Sequence, residues 1–215
     1  MKKVAISVFC FLGLCVGVGQ CGQIGLGAFS GHENLITFTP GFTTVDNFVA
    51  SPVTYQSVTL TSVGTGGSLN DFGIKNNSNE SGWFANIPGS SQGNLALDNV
   101  RRSDIYFDFS TPVNRAGLLL ATAISDTWTV KAYDPGLNIL GSFQVSSSGP
   151  HSVFAGFEST SLIRRLEVLE TADNGLATAF DDIRFEAVPE PSTFALSMLA
   201  FVSLLLFRRF GSKAS

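Results

Sequence analysis

Cysteine is scarce in this 215-residue chain, and all three residues, Cys10, Cys15 and Cys21, lie at its beginning. Everything after Cys21 therefore lacks the thiols for a disulfide framework or a multi-cysteine zinc site. Histidine is scarcer: His32 and His151 are the only two, too few for a histidine-based metal triad. The segment Gly89-Ser90-Ser91-Gln92-Gly93 has the G-x-S-x-G spacing of a nucleophile elbow, but that chemistry needs a strand before the serine, a helix after it and a histidine base. Pro88 precedes the segment, no helical pattern follows, and only His151 lies downstream, so it reads as a Ser/Gly turn. Glycoside hydrolysis would need two carboxylates across a cleft, and no spacing singles out a pair. The expectation is a protein that is not an enzyme.

Positive charge is also thin once the ends are set aside. Removing Lys2, Lys3, Arg208, Arg209 and Lys213 from the 13 basic residues, and Glu190 from the 17 acidic ones, leaves 8 against 16. A body near −8 repels phosphate backbones, which argues against a nucleic-acid partner. It suits cations, neutral glycans or plain solubility.

Long helical periodicity is missing from Ile24 to Val188. Short alternating runs, punctuated by Gly, Asn, Ser and Pro, take its place. In SDIYFDFSTPV, Ile105, Phe107 and Phe109 share a face; in DTWTVKAYDPG, Trp128, Val130 and Ala132 do, and Asp134-Pro135-Gly136 supplies a turn. NILGSFQV follows as a hairpin partner, RRLEVLE puts Leu166 and Val168 opposite Arg165 and Glu167, and TAFDDIRFEAV closes the set. ENLITFT, YQSVTLTSV and NLALDNV read as further strands, whereas the polar stretch Gly64 to Gly93 reads as loops. Seven to nine short strands without helices predict an all-β, antiparallel two-sheet sandwich of jelly-roll type, and 19 phenylalanines suit its core.

Few residues stand out for binding. Trp83, among small polar residues, is the first candidate to stack on a sugar ring, with core insertion as the competing reading; Tyr106, Tyr133 and Trp128 are weaker candidates. Alternation places Asp181 on the face of Ile183 and Phe185, pointing toward the core. A carboxylate there needs a partner, so Asp181 and Asp182 are candidates for structural calcium, against the alternative of an Asp that accepts backbone N–H bonds at the strand start. Asn76 and Asn79 head glycosylation sequons, which matter only in a host that uses them.

The two ends read as addresses. Lys2 and Lys3, an apolar run from Val4 to Val18, and small residues at Gly17 and Gly19 form a signal peptide over residues 1–22. Cleavage before Cys21 would leave one thiol on the mature chain, and cleavage after it none. Lipidation of Cys21 is disfavoured because Gln20, not a small residue, precedes it. At the other end, Val188-Pro189-Glu190-Pro191-Ser192 precedes an apolar helix over 193–207 and then a basic end, 208–215, opened by Arg208 and Arg209. Its apolar run, Phe194 to Phe207, is short for a bilayer span, and the arginines hold the far end in the cytoplasm as a membrane stop.

That order of motif, helix and basic end closely resembles the PEP-CTERM sorting signal of exported bacterial proteins. The resemblance implies recognition by an exosortase, a membrane-embedded cysteine transpeptidase, and transient anchoring in the inner membrane before passage to the cell surface or outside. FDFSTPVNRAGLLL, WTVKAYDPGLNILGSF and the stretch from Phe154 to Phe185 are similar to galactose-binding-like jelly-roll modules. In related carbohydrate-binding modules a D-D-[IV] triplet like Asp181-Asp182-Ile183 contributes to a structural calcium site. Together the readings predict a non-enzymatic sandwich, residues 23–187, that associates with extracellular polysaccharide. The alternatives are a structural envelope or matrix protein without a glycan ligand, and a glycan hydrolase.

Overall fold

The computed structural model describes residues 21–38, 47–64, 67–69, 72–76, 94–98, 103–122, 125–148, 152–171 and 178–186. Among them are twelve strands and one 3-10 turn, Leu26–Ala28. The strands are β1 (Cys21–Ile24), β2 (Asn34–Ile36), β3 (Asn47–Val49), β4 (Val53–Tyr55), β5 (Val58–Val63), β6 (Phe72–Asn76), β7 (Asn94–Asp98), β8 (Asp104–Ala121), β9 (Asp126–Tyr133), β10 (Ile139–Ser147), β11 (Ser152–Glu170) and β12 (Ala179–Glu186). Every pairing between them is antiparallel.

The two long strands, β8 with 18 residues and β11 with 19, determine the architecture. Asp104 to Asp108 pairs with Arg165 to Leu169; the register then shifts, and Arg115 to Ala121 pairs with Ser152 to Glu158. Each strand thereby serves two layers. The first layer runs β10-β9-β11-β8-β5-β4. The second runs β1-β11-β8-β12, with β2 and β7 sharing the far edge of β12 and β6 and β3 beyond β7. Their inner faces meet: Phe107 of the first layer packs edge-on against Phe180 of the second at 5.0 Å, and Phe109 meets Phe185 in a tilted pair at 5.3 Å.

Period-two patterning accounts for the first layer. Ile105, Phe107, Phe109, Trp128, Val130, Ala132, Leu166 and Val168 are buried as the alternation predicts, because successive side chains on a strand point to opposite faces. Trp128 is fully buried, and its indole N–H donates to Thr178 Oγ1 at 2.9 Å. A Trp in that position is core and is not available to stack on a sugar. The DPG turn and the β9-β10 hairpin also form as expected.

The second layer departs from simple alternation because both of its faces are covered. Phe154 lies over Gly117 and Gly156, which oppose each other in the ladder, and Phe29 packs edge-on against Phe154 at 5.9 Å. A Cβ at Gly117 would fall 2.5 Å from the Phe154 ring and 2.8 Å from the Ala155 carbonyl oxygen, so only glycine fits. Arg115 reaches the same cover through Ala28 O at 3.0 Å.

Several expectations need correction. YQSVTLTSV is not one strand but a hairpin: Tyr55 ends β4, Gln56 turns with φ +53°, and β5 begins at Val58. The stretch Gly64 to Gly93 contains β6. Cys21 and Gly22, placed by the sequence reading in the leader, pair with Ser159 and Glu158 in β1. The register of β12 also slips. Asp181 opposes Leu119 whereas Arg184 opposes Gly117, so β12 has one extra residue there, and Asp182 takes φ +47°. This bulge reverses the parity of the strand start. Phe180, rather than Asp181, shares the core with Ile183 and Phe185.

Candidate functional site

The outward face of the first layer gathers the chemistry. Register sets Ser142, Lys131, Glu167, Tyr106 and Thr61 side by side across β10, β9, β11, β8 and β5. Beside this row stands another, Tyr133, Arg165, Asp108 and Thr59. The same alternation that sends Ile105, Phe107 and Trp128 inward sends these residues outward. Tyr106 and Tyr133, two sequence candidates 27 positions apart, are thus brought onto one face.

Glu167 links them. Its carboxylate accepts from Lys131 Nζ at 2.7 Å and from the Tyr133 hydroxyl, and it stands opposite Tyr106 in the ladder. Arg165 places its guanidinium 4.7 Å from the Tyr106 ring centroid and donates to both oxygens of Asp108, at 2.7 and 2.9 Å. The Tyr106 hydroxyl points to Asp104 Oδ2 at 3.4 Å.

Three carboxylates and two cations meet on this face. Asp108 is matched by Arg165 and Glu167 by Lys131, which leaves Asp104 without an ion pair among the described residues. Burial, and then the nearby charge of Glu167, pushes the Asp104 carboxyl above its ordinary value. Burial likewise raises both tyrosines, assisted at Tyr133 by the hydrogen bond to Glu167 and at Tyr106 by the charge of Asp104. Both phenols are therefore neutral O–H donors at ordinary pH. Rings, hydroxyls and oriented charged groups on a flat strand surface are the elements that hold a polyhydroxylated chain.

At the far end of the β9-β10 hairpin, Ser125, Asp126, Thr127, Ser146, Ser147 and Ser148 line an open hollow of about 280 Å³. Sequence reasoning missed it. The run Ser146-Ser147-Ser148 was the available signal, but pairing of Ser147 with Asp126 is what joins the two halves of the lining.

Among the described residues, the candidate metal residues Asp181 and Asp182 stand next to a cation rather than in a group of acids. Arg184 lies between two acids, at 2.5 Å from Glu33 Oε1 and 3.6 Å from Asp182 Oδ2, so a guanidinium already supplies their positive charge. Asp181 is buried next to the bulge, and among the described residues no group of three or more His, Cys, Asp and Glu could hold an ion. His32 is exposed. Trp83, the sorting motif Val188 to Ser192, the apolar run Phe194 to Phe207, Arg208 and Arg209 lie outside the described residues. Among the described residues no helix is long and apolar enough to cross a membrane.

No protein-family model matches the sequence, and no curated protein matches it. Among solved structures the chain is similar to the enzymatically active domain of a bacteriophage CBA120 tailspike protein, at 12% identity and a TM-score of 0.37, over 61% of this chain and 19% of that one. It is also similar to the CBM22-1–GH10 modules of a Clostridium thermocellum endo-1,4-beta-D-xylanase complexed with xylohexaose, at 8% identity and a TM-score of 0.41, over 67% and 29%. A third is the family 11 carbohydrate-binding module of a Clostridium thermocellum cellulosomal cellulase, at 9% identity and a TM-score of 0.31, over 73% and 95%. The chain spans less than a third of the length of the first two structures.

Proposed function

We propose that this protein is an exported, non-catalytic jelly-roll-type module that holds a neutral extracellular polysaccharide on the outward face of its first layer. The observation that carries the reading is the convergence of Tyr106 and Tyr133 around Glu167. Ring surfaces supply apolar contact to the C–H faces of a sugar, while the phenol oxygens accept from its hydroxyls and the remaining N–H groups of Lys131 and Arg165 donate to them. With Asp104 in excess over the cations on that face, and a body near −8, a uronic-acid polymer would be repelled and a neutral one would not. The N-terminal leader and the Pro189-Glu190-Pro191 tail give the route: export, transient anchoring and release at the surface by an exosortase-type transpeptidase.

Electrophoretic retention in gels containing neutral or uronic-acid polysaccharide tests the ligand. A neutral polymer should retain the parent, and Tyr106→Ala or Tyr133→Ala should lose that retention. Release of reducing ends would assign hydrolase activity instead. A second reading, a matrix component without a ligand, is favoured by one observation: Arg165 covers a face of Tyr106, and the polar groups of this surface are matched largely among themselves. Failure of every glycan to retain the protein would select it.

A further inference from the structure

Both ends of the described body leave from one edge. Gly22, Glu158, Arg115 and Glu186 stand in a single row across β1, β11, β8 and β12. Three strand intervals separate Gly22 from Glu186, about 14 Å. Arg115 ties the row together: it reaches Glu158 at 2.7 Å and Glu186 at 2.8 Å, and Ser30 Oγ donates to the other oxygen of Glu186 at 2.6 Å. β1 begins and β12 ends at this row. Both therefore point toward the corner where β8 and β11 pass from one layer to the other.

The composition of that corner is unlike the rest of the body. Residues 110–114 read STPVN and 159–164 read STSLIR, with Arg164 the single charge and Leu162 exposed at 42%. The tip of the β9-β10 hairpin lies at the same edge, because Gly141 sits against Cys21. It exposes Leu137 at 52% and Ile139 at 60%. Its one acid, Asp134, is turned onto the Asn138 amide and backbone N–H. The acids of the end row, Glu158 and Glu186, are both bound to Arg115.

We propose that this edge is the membrane-facing surface of the body and that its partner is a lipid bilayer. The proposal rests on the sorting reading above, in which Phe194 to Phe207 is inserted. Seven residues separate Glu186 from Phe194, a reach of at most about 25 Å, so the edge is held close to the lipid. There, exposed leucine and isoleucine tips meet the interface, Arg164 meets lipid phosphate, and Arg115 offsets part of the charge of Glu158 and Glu186. The opposite end, with Asp126 and the serine-lined hollow, points away.

The test uses the full chain, with Cys10, Cys15 and Cys21 changed to Ser, in vesicles of phosphatidylethanolamine and phosphatidylglycerol. A fluorophore is attached at Leu137→Cys or Leu162→Cys on this edge, or at Leu69→Cys or Ser148→Cys far from it, and lipids bearing a headgroup nitroxide act as quencher. The expected result is loss of fluorescence at 137 and 162 with none at 69 and 148, and weaker loss when Arg164→Glu is added. Equal quenching at all four sites in a chain that floats with the vesicles overturns the proposal and leaves the anchor intact. A chain that does not float at all overturns both the anchored state and the proposal built on it.

Discussion

Arg165 spans Asp108 and Tyr106 in one gesture: its guanidinium meets the two Asp108 oxygens at 2.7 and 2.9 Å while lying 4.7 Å above the tyrosine ring. A lysine has neither the fork nor the plane for this. Arg165→Lys should therefore lose the second hydrogen bond and the stacking, destabilising the fold by about 1–2 kcal/mol. It should also weaken glycan retention by loosening Tyr106. Urea denaturation gives the first quantity; unchanged stability would mean the pair is worth no more than an exposed ion pair.

Gly117 gives a sharper stability test. Because Phe154 and the Ala155 carbonyl oxygen already occupy the space of a Cβ, Gly117→Ala should cost about 1–3 kcal/mol through overpacking. Adding Phe154→Leu should recover part of that loss and no more, since the carbonyl contact at 2.8 Å is backbone. Full recovery in the double variant would locate the clash in the ring alone.

Acid should weaken the fold through Glu33 and Glu186. Glu33 is lowered first by its own backbone N–H and further by Arg184, against burial. At Glu186 burial opposes ionisation, but hydrogen bonds from Ser30 and Arg115 outweigh it. A lowered carboxyl stabilises the fold above its ordinary value of 4.5 and loses that contribution as pH falls through the folded value. Asp104, raised by burial, acts oppositely: its contribution is whole below 3.8 and disappears as pH rises through its folded value. Thermal melting across the acid range should thus show Tm falling below pH 4.5, with a shallower fall in Glu186→Gln. An identical acid limb in that variant counts against the Arg115 clamp.

Calcium chelation should leave the melting curve of the protein in place, because the Arg184 guanidinium already stands between Glu33 and Asp182 as their cation. Arg184→Met should instead lower stability by about 3–5 kcal/mol, the cost of stranding buried carboxylates. A Tm drop on chelation that calcium reverses would restore the metal assignment.

Processing at the N-terminus should spare Cys21. Its strand pairs with Ser159 to Gly156, and its half-buried thiol lies beside Gly141, its pKa raised by burial. The intact mass of the protein from its native cell should correspond to a chain that begins at or before Cys21 and carries no lipid; a chain beginning after Gly22 would show that β1 is dispensable.

Local chemistry alone determined the strands of the first layer around Tyr106 and Tyr133 and which of their faces is apolar. Ile105-Phe107-Phe109, Trp128-Val130-Ala132 and Leu166-Val168 fill the core as alternation requires, and the hairpin after Tyr133 follows from its turn residues. Tertiary structure decided the rest, because pairing register is a long-range property. No spacing in the sequence shows that Glu167 stands between Lys131 and Tyr106, that Gly22 and Glu186 share a row, or that one extra residue at Asp182 sends Phe180 inward in place of Asp181. A single-residue slip exchanges the two faces of a strand, so which residues form the site is settled only when the strands are laid side by side.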